Sequence, residues 1–358
     1  MASPDILPRN ETLSFYPLES NRWPLALTFI AIILITSHYI SNKQARQSLP
    51  PGPKGWPFIG HAFGLGKYAH RTLTEWSREY GPIISVRLGG QLWIVLNDRE
   101  AVDELMRKRG QNYNSRNFGY ISHNILTRNA MMAVVNGELW KKMRKVLNGF
   151  LAKSAVAAYA DRVDYEGVLF MTQLLENGGQ SDGVDPYYFC ALYAMNNIMS
   201  MTFQQRFESV DDPLYRRILA HTVEFMRLLR VGGQAGDFFP KPLLRLFFRK
   251  NMEDAERWAK NTDEIFGRLC EDLRARIDHG DDINSLVAAV LRCQKEEGLS
   301  NDEVYQNAEM FVQAGTQTST VTLAWLIAVL AYHPDVQDKV RSFLKLMDLP
   351  SLTYKLGI

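Results

Sequence analysis

The sequence is poor in cysteine. Only Cys190, Cys270 and Cys293 occur among the 358 residues, and they are widely spaced. This spacing excludes a disulfide framework and a clustered zinc site, and it favours a reducing compartment. No cysteine follows Cys293, so the long apolar segment near residue 320 and everything after it lack a thiol.

An excess of one charge is also missing. Lysine and arginine total 41 and aspartate and glutamate total 39, which gives a net charge of +2 and no electrostatic argument for nucleic-acid binding. Internal repeats and low-complexity segments are absent, which excludes a repeat architecture. A composition of 46% hydrophobic and 22% charged residues is instead typical of a globular protein with a large core.

Near the N-terminus the sequence has one long uncharged apolar run, at residues 24–40. Its length is close to the minimum that spans a bilayer. Basic residues follow it at Lys43, Arg46 and Lys54, and no acid occurs before Glu75. The positive-inside rule therefore predicts a transmembrane anchor at 24–40, a lumenal segment at 1–23 and a cytosolic remainder. A cleaved signal peptide is the alternative.

The chain after the anchor predicts a mainly α fold with a small β-sheet. Prolines in the segment 41–60 exclude helix and central strand, so we expect an extended hinge there. Residues 83–88 and 91–96 predict two strands, because Gly89 and Gly90 between alternating β-formers indicate a hairpin. Helices are expected over 68–80, near 99–109 and from Glu138 onward almost to the end.

An apolar break interrupts the helical pattern between residues 231 and 248. Gly232, Gly233 and Pro240 disrupt the periodicity, while phenylalanines and leucines alternate with basic residues. The segment is either a loop that dips into a membrane or an ordinary buried connection.

A long helix is predicted from Asn301 to Tyr332. Ser300 and Glu303 form a capping-box pattern at its start, and Pro334 ends it after His333. Small and hydroxylated residues at 314–320 predict a break in its middle. One interpretation is that the hydroxyls bond back to their own helix and let it bend or pack closely. The other is that the small side chains leave room for a flat group to lie against the helix.

Trp140 and Arg144 are four residues apart, so they share one face of the predicted basic helix. An indole N–H and a guanidinium together suit a carboxylate. The alternative is that the Trp140 ring packs on the aliphatic stem of Arg144.

Taken in order, these features resemble the cytochrome P-450 superfamily, in its membrane-anchored fungal type. The resemblance runs from residue 24 to about residue 344 and includes the anchor, the Pro50–Pro53 hinge, the hairpin, the Trp140/Arg144 pair, the 314–319 segment and the His333–Pro334 boundary. It implies the haem-thiolate monooxygenase fold, a domain over 61–344 with its cysteine-ligand region missing, and an aberrant tail at 345–358. It also implies a single-pass protein of the endoplasmic reticulum membrane.

The resemblance implies roles for six residues. Trp140 and Arg144 would bind a haem propionate, Ala314 and Gly315 would allow close approach of the macrocycle, and Thr318 would act on the oxygen side in proton delivery. Gln317 stands where the family has an acid, and a carboxamide cannot carry a proton by titrating.

The implied reaction inserts one atom of dioxygen into an apolar small molecule, with electrons from an NADPH-dependent reductase. The family's axial cysteine should follow the long helix, and the Phe266 to Cys270 stretch has the wrong spacing to replace it. We therefore expect a truncated and inactive chain. The alternatives are a non-catalytic membrane-anchored helical fragment and an artefactual gene product.

Overall fold

The computed structural model describes most of the chain between residues 49 and 346. The described ranges are 49–56, 59–66, 68–116, 119–152, 157–178, 183–229, 235–239 and 241–346. The predicted lumenal segment and anchor, and nearly all of the predicted tail, lie outside these residues.

The predicted hairpin is confirmed. Strand β1 (Ile83–Leu88) pairs antiparallel with β2 (Gln91–Leu96), with Leu88 opposite Gln91 at the turn. Gly89 has φ +55°, and a Cβ there would lie 2.2 Å from the backbone oxygen of Phe238. Glycine is therefore required both for the turn and for the close approach of the segment around Phe238.

The end of the proline-rich hinge is fixed to β1. Ser85 donates its backbone N–H to Pro51 O at 3.0 Å and its hydroxyl to Pro50 O at 2.7 Å. The imidazole of His61 lies between Pro53 O and the backbone of Arg87, at 3.1 Å from each. These bonds satisfy backbone groups that a proline-rich arm cannot pair within itself.

Helices make up most of the described chain. The first, α1 (Ala69–Tyr80), packs on the buried side chains of β1. The others are α2 (Arg99–Val102), continued by a π-helical turn (Asp103–Lys108), α3 (Glu138–Leu151), α4 (Ala160–Gly178), α5 (Pro186–Phe203), α6 (Pro213–Leu229), α7 (Lys241–Phe247), α8 (Arg249–Thr262), α9 (Arg268–His279), α10 (Leu286–Glu297), α11 (Asn301–Tyr332) and α12 (Pro334–Leu346). Together with the hairpin they confirm the predicted fold class.

The centre of the core is the packing of α11 on α5. Cys190, early in α5, packs near Leu323 and Ile327, late in α11, whereas Ile198 lies against Gly315. The two helices therefore run antiparallel. Most side chains of α5 are buried, as expected for a helix that is apolar nearly all round.

Helix α11 is continuous, so the predicted break in its middle is wrong. Its bounds, 301 to 332, and the capping box of Ser300 and Glu303 are confirmed. The hydroxyls of Thr318, Thr320 and Thr322 donate to the carbonyls four residues earlier, at 2.7 to 2.9 Å. These side-chain bonds leave the helical ladder in place, which explains why a hydroxyl-rich segment does not interrupt it.

The apolar segment after α6 contains a 3-10 turn (Ala235–Phe238) and the short helix α7. Leu244 of α7 is buried, whereas Leu246 and Phe247 are 71% and 69% exposed. The connection is thus buried on one side and exposes apolar side chains on the other. Part of the predicted break is helical, because the apolar residues after Pro240 pack on the core at one position per turn.

Candidate functional site

One face of α11 is open in its second half. Ala314 and Thr318 are exposed and four residues apart, and Trp325, farther along the same face, is 67% exposed. The opposite face packs on α5. The small side chains of Ala314 and Thr318 therefore form a shallow surface on the side away from α5.

Gly315 lies on the α5 side of α11. A Cβ at this position would lie 2.7 Å from Cγ1 of Ile198, so the absence of a side chain allows the two helices to approach each other. Packing against Ile198 explains why residue 315 is a glycine. This explanation differs from the role that the resemblance implies, which is close approach of the macrocycle. Of the two small residues, Ala314 is the one on the open surface.

Gln317 and Thr318 are neighbours with different surroundings. Gln317 is half-buried, and its Oε1 has no hydrogen-bond partner in the described part of the chain. Thr318 donates its hydroxyl hydrogen to Ala314 O at 2.9 Å and keeps its lone pairs on the exposed side. Thr318 can thus accept a hydrogen bond on the open surface, while Gln317 points toward the interior.

Trp140 and Arg144 lie together on the exposed face of α3. Met143 and Leu147 on its other face are buried. The neighbouring lysines are occupied, since Lys141 pairs with Glu138 at 2.8 Å and Lys145 with Glu297 at 2.9 Å.

Arg144, in contrast, has no hydrogen bond or ion pair with any residue that the structure describes. Within the same ranges no ring–guanidinium contact joins it to Trp140. In the described part of the chain, the N–H groups of both side chains are therefore available to an anion.

Asn307 connects the segment before α3 to α11. Its Oδ1 accepts the backbone N–H of Met132 at 2.9 Å, and its Nδ2 donates to Ala130 O at 2.8 Å. Sequence reasoning missed this residue, although a carboxamide within an apolar helix was a usable signal. Helix α3 and the first half of α11 also contribute buried side chains to one hydrophobic cluster, Met143 and Leu147 from α3 and Val304, Ala308, Phe311 and Val312 from α11.

The described residues fit one side of a flat, carboxylate-bearing group such as haem. The indole and guanidinium donors suit carboxylates, and the exposed small residues of α11 suit close approach of a ring. The cysteines are in surroundings that disfavour a thiolate. Burial raises the pKa of the Cys190 thiol to about 11 and that of the Cys270 thiol to about 12. Burial also raises the pKa of Cys293. Cys190 and Cys270 are also fully buried among apolar side chains, so neither thiol lies on the open face of α11.

The family model for cytochrome P450 matches residues 50–344. This chain belongs to the cytochrome P450 family. The family implies haem as its cofactor, a redox partner and a small-molecule substrate, which agrees with the coarse expectation from the sequence.

Named relatives of this P450 chain occur in fungi and plants. It is 27% identical over 320 residues to cytochrome P450 monooxygenase 58 of Postia placenta, covering 87% of this chain and 59% of that protein. It is 26% identical to trans-cinnamate 4-monooxygenase of Oryza sativa subsp. japonica, covering 88% and 64%. It is also 27% identical to 3-hydroxyphenylacetate 6-hydroxylase of Emericella nidulans, covering 92% and 65%. The chain thus spans about three fifths of the length of these relatives.

One helix of the described P450 chain, α11, is long and apolar enough to cross a membrane. This is weak evidence, because the core helix of a soluble protein can meet the same criterion. The stretch that meets the criterion is only 11% buried, whereas the first half of α11 is buried in the core, where it carries Gln306, Asn307 and Glu309.

Proposed function

We propose that this chain forms the oxygen side of a haem-thiolate monooxygenase that oxidises an apolar small molecule. The observation that carries the proposal is the pair of donors, Trp140 and Arg144, which have no partner among the described residues and lie on a helix whose buried side packs in the same hydrophobic cluster as α11. Membership of the P450 family gives this geometry its chemical meaning. Electrons would come from an NADPH-dependent reductase, and the protein would act at the endoplasmic reticulum membrane through the anchor at 24–40.

The chain's own residues would bind and orient the cofactor. The guanidinium of Arg144 and the indole N–H of Trp140 would hold a propionate, with the fixed fork of the guanidinium setting its direction. Ala314 would lie against the ring, and the Thr318 hydroxyl would accept a hydrogen bond and pass on a proton on the oxygen side. When bound, haem supplies the activation of dioxygen.

The thiolate required by that chemistry does not come from the cysteines in this sequence. Cys190 and Cys270 are fully buried within helices, and Cys293 hydrogen-bonds a backbone carbonyl of its own helix. We therefore propose that the 358-residue chain by itself holds haem only weakly, without a thiolate, and is inactive in this form.

Haem titration of the purified chain tests the proposal. Followed by absorbance in the Soret region, Arg144→Ala and Trp140→Phe should each weaken haem binding by about tenfold, the effect of losing one charge-assisted or neutral hydrogen bond. Lys141→Ala and Lys145→Ala are matched controls on the same helix and should leave the affinity unchanged. Equal effects of all four variants, or of none, would contradict the propionate assignment.

The reduced, carbon-monoxide-bound spectrum tests the ligand. We expect no thiolate-type Soret band from the 358-residue chain. Such a band would show that one of its three cysteines binds the iron, and the proposal that the chain is inactive would be wrong.

The second candidate function is that of a non-catalytic, membrane-anchored helical protein. The exposed apolar side chains of α11 and α12 favour it, because surfaces of this kind bind other proteins. They are Val321, Trp325, Leu326, Val329, Tyr332, Val336, Val340 and Phe343. A folded protein that binds no haem, yet associates with a P450 reductase or a full-length P450 in pull-down experiments, would support this candidate over the first.

A further inference from the structure

A row of exposed side chains runs along the second half of α11. Its members are spaced four, three, four, three and four residues apart, which places them in one line on the side away from α5. Two of them are large aromatic residues, Trp325 and Tyr332, which are 67% and 83% exposed. We call this row the exposed seam, and its six residues are Ala314, Thr318, Val321, Trp325, Ala328 and Tyr332.

The spacing of the exposed seam indicates what kind of surface covers it. Alternating steps of three and four residues are the pattern by which one α-helix packs along another. The seam is also uncharged, since no acidic or basic residue occurs from Met310 to Tyr332. A charged partner surface would lose hydration there and gain no opposite charge. The seam therefore suits an uncharged helix with the same spacing, and the same stretch of a second copy meets both conditions.

The order of side-chain sizes along the seam favours an antiparallel second copy. When the two-fold axis lies midway along the seam, near Leu323, each seam residue of one copy faces a seam residue of the other. Two of the three levels then pair a smaller side chain with a larger one. The facing pairs are Ala314 with Tyr332, Thr318 with Ala328, and Val321 with Trp325.

A parallel second copy fits less well. It would set Trp325 against Trp325 and Ala314 against Ala314, which crowds one level of the interface and leaves a void at another. It would also bring the two cores side by side, because the core surrounds the first half of α11. Antiparallel pairing instead places the cores at opposite ends of a seam that is roughly 27 Å long. Long-range repulsion between copies is small, since the net charge of each chain is only +2.

We propose that the exposed seam binds the same seam of a second copy, so that the haem-free chain forms an antiparallel homodimer through α11. This goes beyond the proposed function, because it concerns the chain before any cofactor is bound. The seam includes Ala314 and Thr318, which are the residues proposed to face haem. A second copy and a haem group therefore cannot occupy this part of α11 at the same time.

Site-directed cross-linking of the purified, haem-free 358-residue chain tests the register. Thr318→Cys and Ala328→Cys place thiols at facing levels, so a short bifunctional thiol reagent should cross-link a mixture of the two variants. Each variant alone should not cross-link, because its own thiols are ten residues apart along the seam, or roughly 15 Å. The wild type, which retains Cys190, Cys270 and Cys293, gives the background. Cross-linking of either variant alone, or of no sample, would overturn the antiparallel dimer.

Sedimentation equilibrium of the same haem-free chain tests the association itself. The wild type should show twice the mass of one chain, and Trp325→Ala should raise the dissociation constant of the dimer at least tenfold, as expected for a central aromatic anchor. Ala328→Glu should have a similar effect, because it introduces a charge into an uncharged interface. Trp56→Ala is the matched control, since Trp56 is 79% exposed and lies outside α11.

A monomeric wild type would mean that another protein or a lipid surface covers the seam, and it would overturn the proposal. Equal dissociation constants for Trp325→Ala and Trp56→Ala would do the same. The two proposals of this Results section fail separately, because the dimer is measured without haem. A chain that dimerises but never binds haem contradicts only the proposed function, and a monomer that binds haem contradicts only the dimer. If both are correct, adding haem should lower the dimer fraction.

Discussion

The side chain of Asn307 holds the backbone of Met132 from the middle of the core. The distance from Asn307 Oδ1 to Met132 N is 2.9 Å, and the same carboxamide donates to Ala130 O at 2.8 Å. These bonds connect the start of the α3 region to α11, two turns before Ala314. They fix the position of one half of the candidate site relative to the other.

Replacing Asn307 should therefore be costly. Asn307→Leu leaves a buried N–H and a buried carbonyl without partners, and we expect the free energy of unfolding to fall by about 2–4 kcal/mol. Asn307→Asp keeps the acceptor and should have a smaller effect. Asn148→Leu, at an exposed position of α3, is the control. Denaturant unfolding followed by circular dichroism measures all three, and equal midpoints for Asn307→Leu and the wild type would contradict the bridging role.

The contact between Gly315 and Ile198 predicts a coupled pair. Gly315→Ala brings a methyl group to 2.7 Å from the Ile198 side chain, and overpacking of this kind costs about 1–3 kcal/mol. Ile198→Ala in the same chain should recover much of that loss, so a double-mutant cycle should give a clear coupling energy. Gly149→Ala is the control, because a Cβ there meets nothing within 4 Å. It should stabilise the protein slightly through helix propensity. Additive effects of the two core substitutions would show that α5 and α11 do not meet at this point.

The burial of His221 should make the folded protein less stable in mild acid. It is buried, stacked on Trp258 at 4.4 Å, and burial lowers the pKa of its imidazole to about 3 from the ordinary 6.5. Below pH 6.5 the unfolded chain binds a proton that the folded chain refuses. Stability from this group is therefore present above pH 6.5 and is lost as the pH falls from 6.5 toward 3, by about 2 kcal/mol at pH 5.

His221→Phe preserves a ring for the stack and removes the titration. Its unfolding free energy should depend less on pH between 6.5 and 4 than that of the wild type, as measured by urea unfolding at several pH values. Parallel curves for the two proteins would exclude His221 as the cause of the acid sensitivity.

Replacing Asp237 should loosen the turn at Ile121 and Ser122. Its carboxylate accepts the backbone N–H groups of Ile121 and Ser122 and the Ser122 hydroxyl, and its backbone oxygen accepts from Gln91 at 2.9 Å. Asp237→Asn turns an N–H₂ group toward these donors, so we expect a loss of about 1–3 kcal/mol. Hydrogen exchange should quicken at the Ile121 and Ser122 amides while the amides of α11 keep their protection. Unchanged exchange at both amides would mean that the carboxylate does not hold this turn.

Local patterns predicted much of the fold correctly. The hairpin, the start of α3 and the bounds of α11 follow from signals within a few residues of each other, such as paired glycines, a capping box and a proline. The break within α11 was mispredicted because hydroxyl side chains can bond back to their own helix, and sequence alone does not say which choice is made. The short helix α7 was missed because its stability comes from burial of Leu244 in a distant core.

For the candidate site, the sequence alone determined that Trp140 with Arg144 and Ala314 with Thr318 occupy helix faces, because helical spacing fixes which residues share a side. It also determined that Cys190, Cys270 and Cys293 all precede α11. Only the tertiary structure decided that Gly315 serves the packing against Ile198, that Asn307 joins the two parts of the site, and that Glu309 is buried without a partner. These properties depend on which helices meet, and burial and pairing are set by residues more than a hundred positions apart.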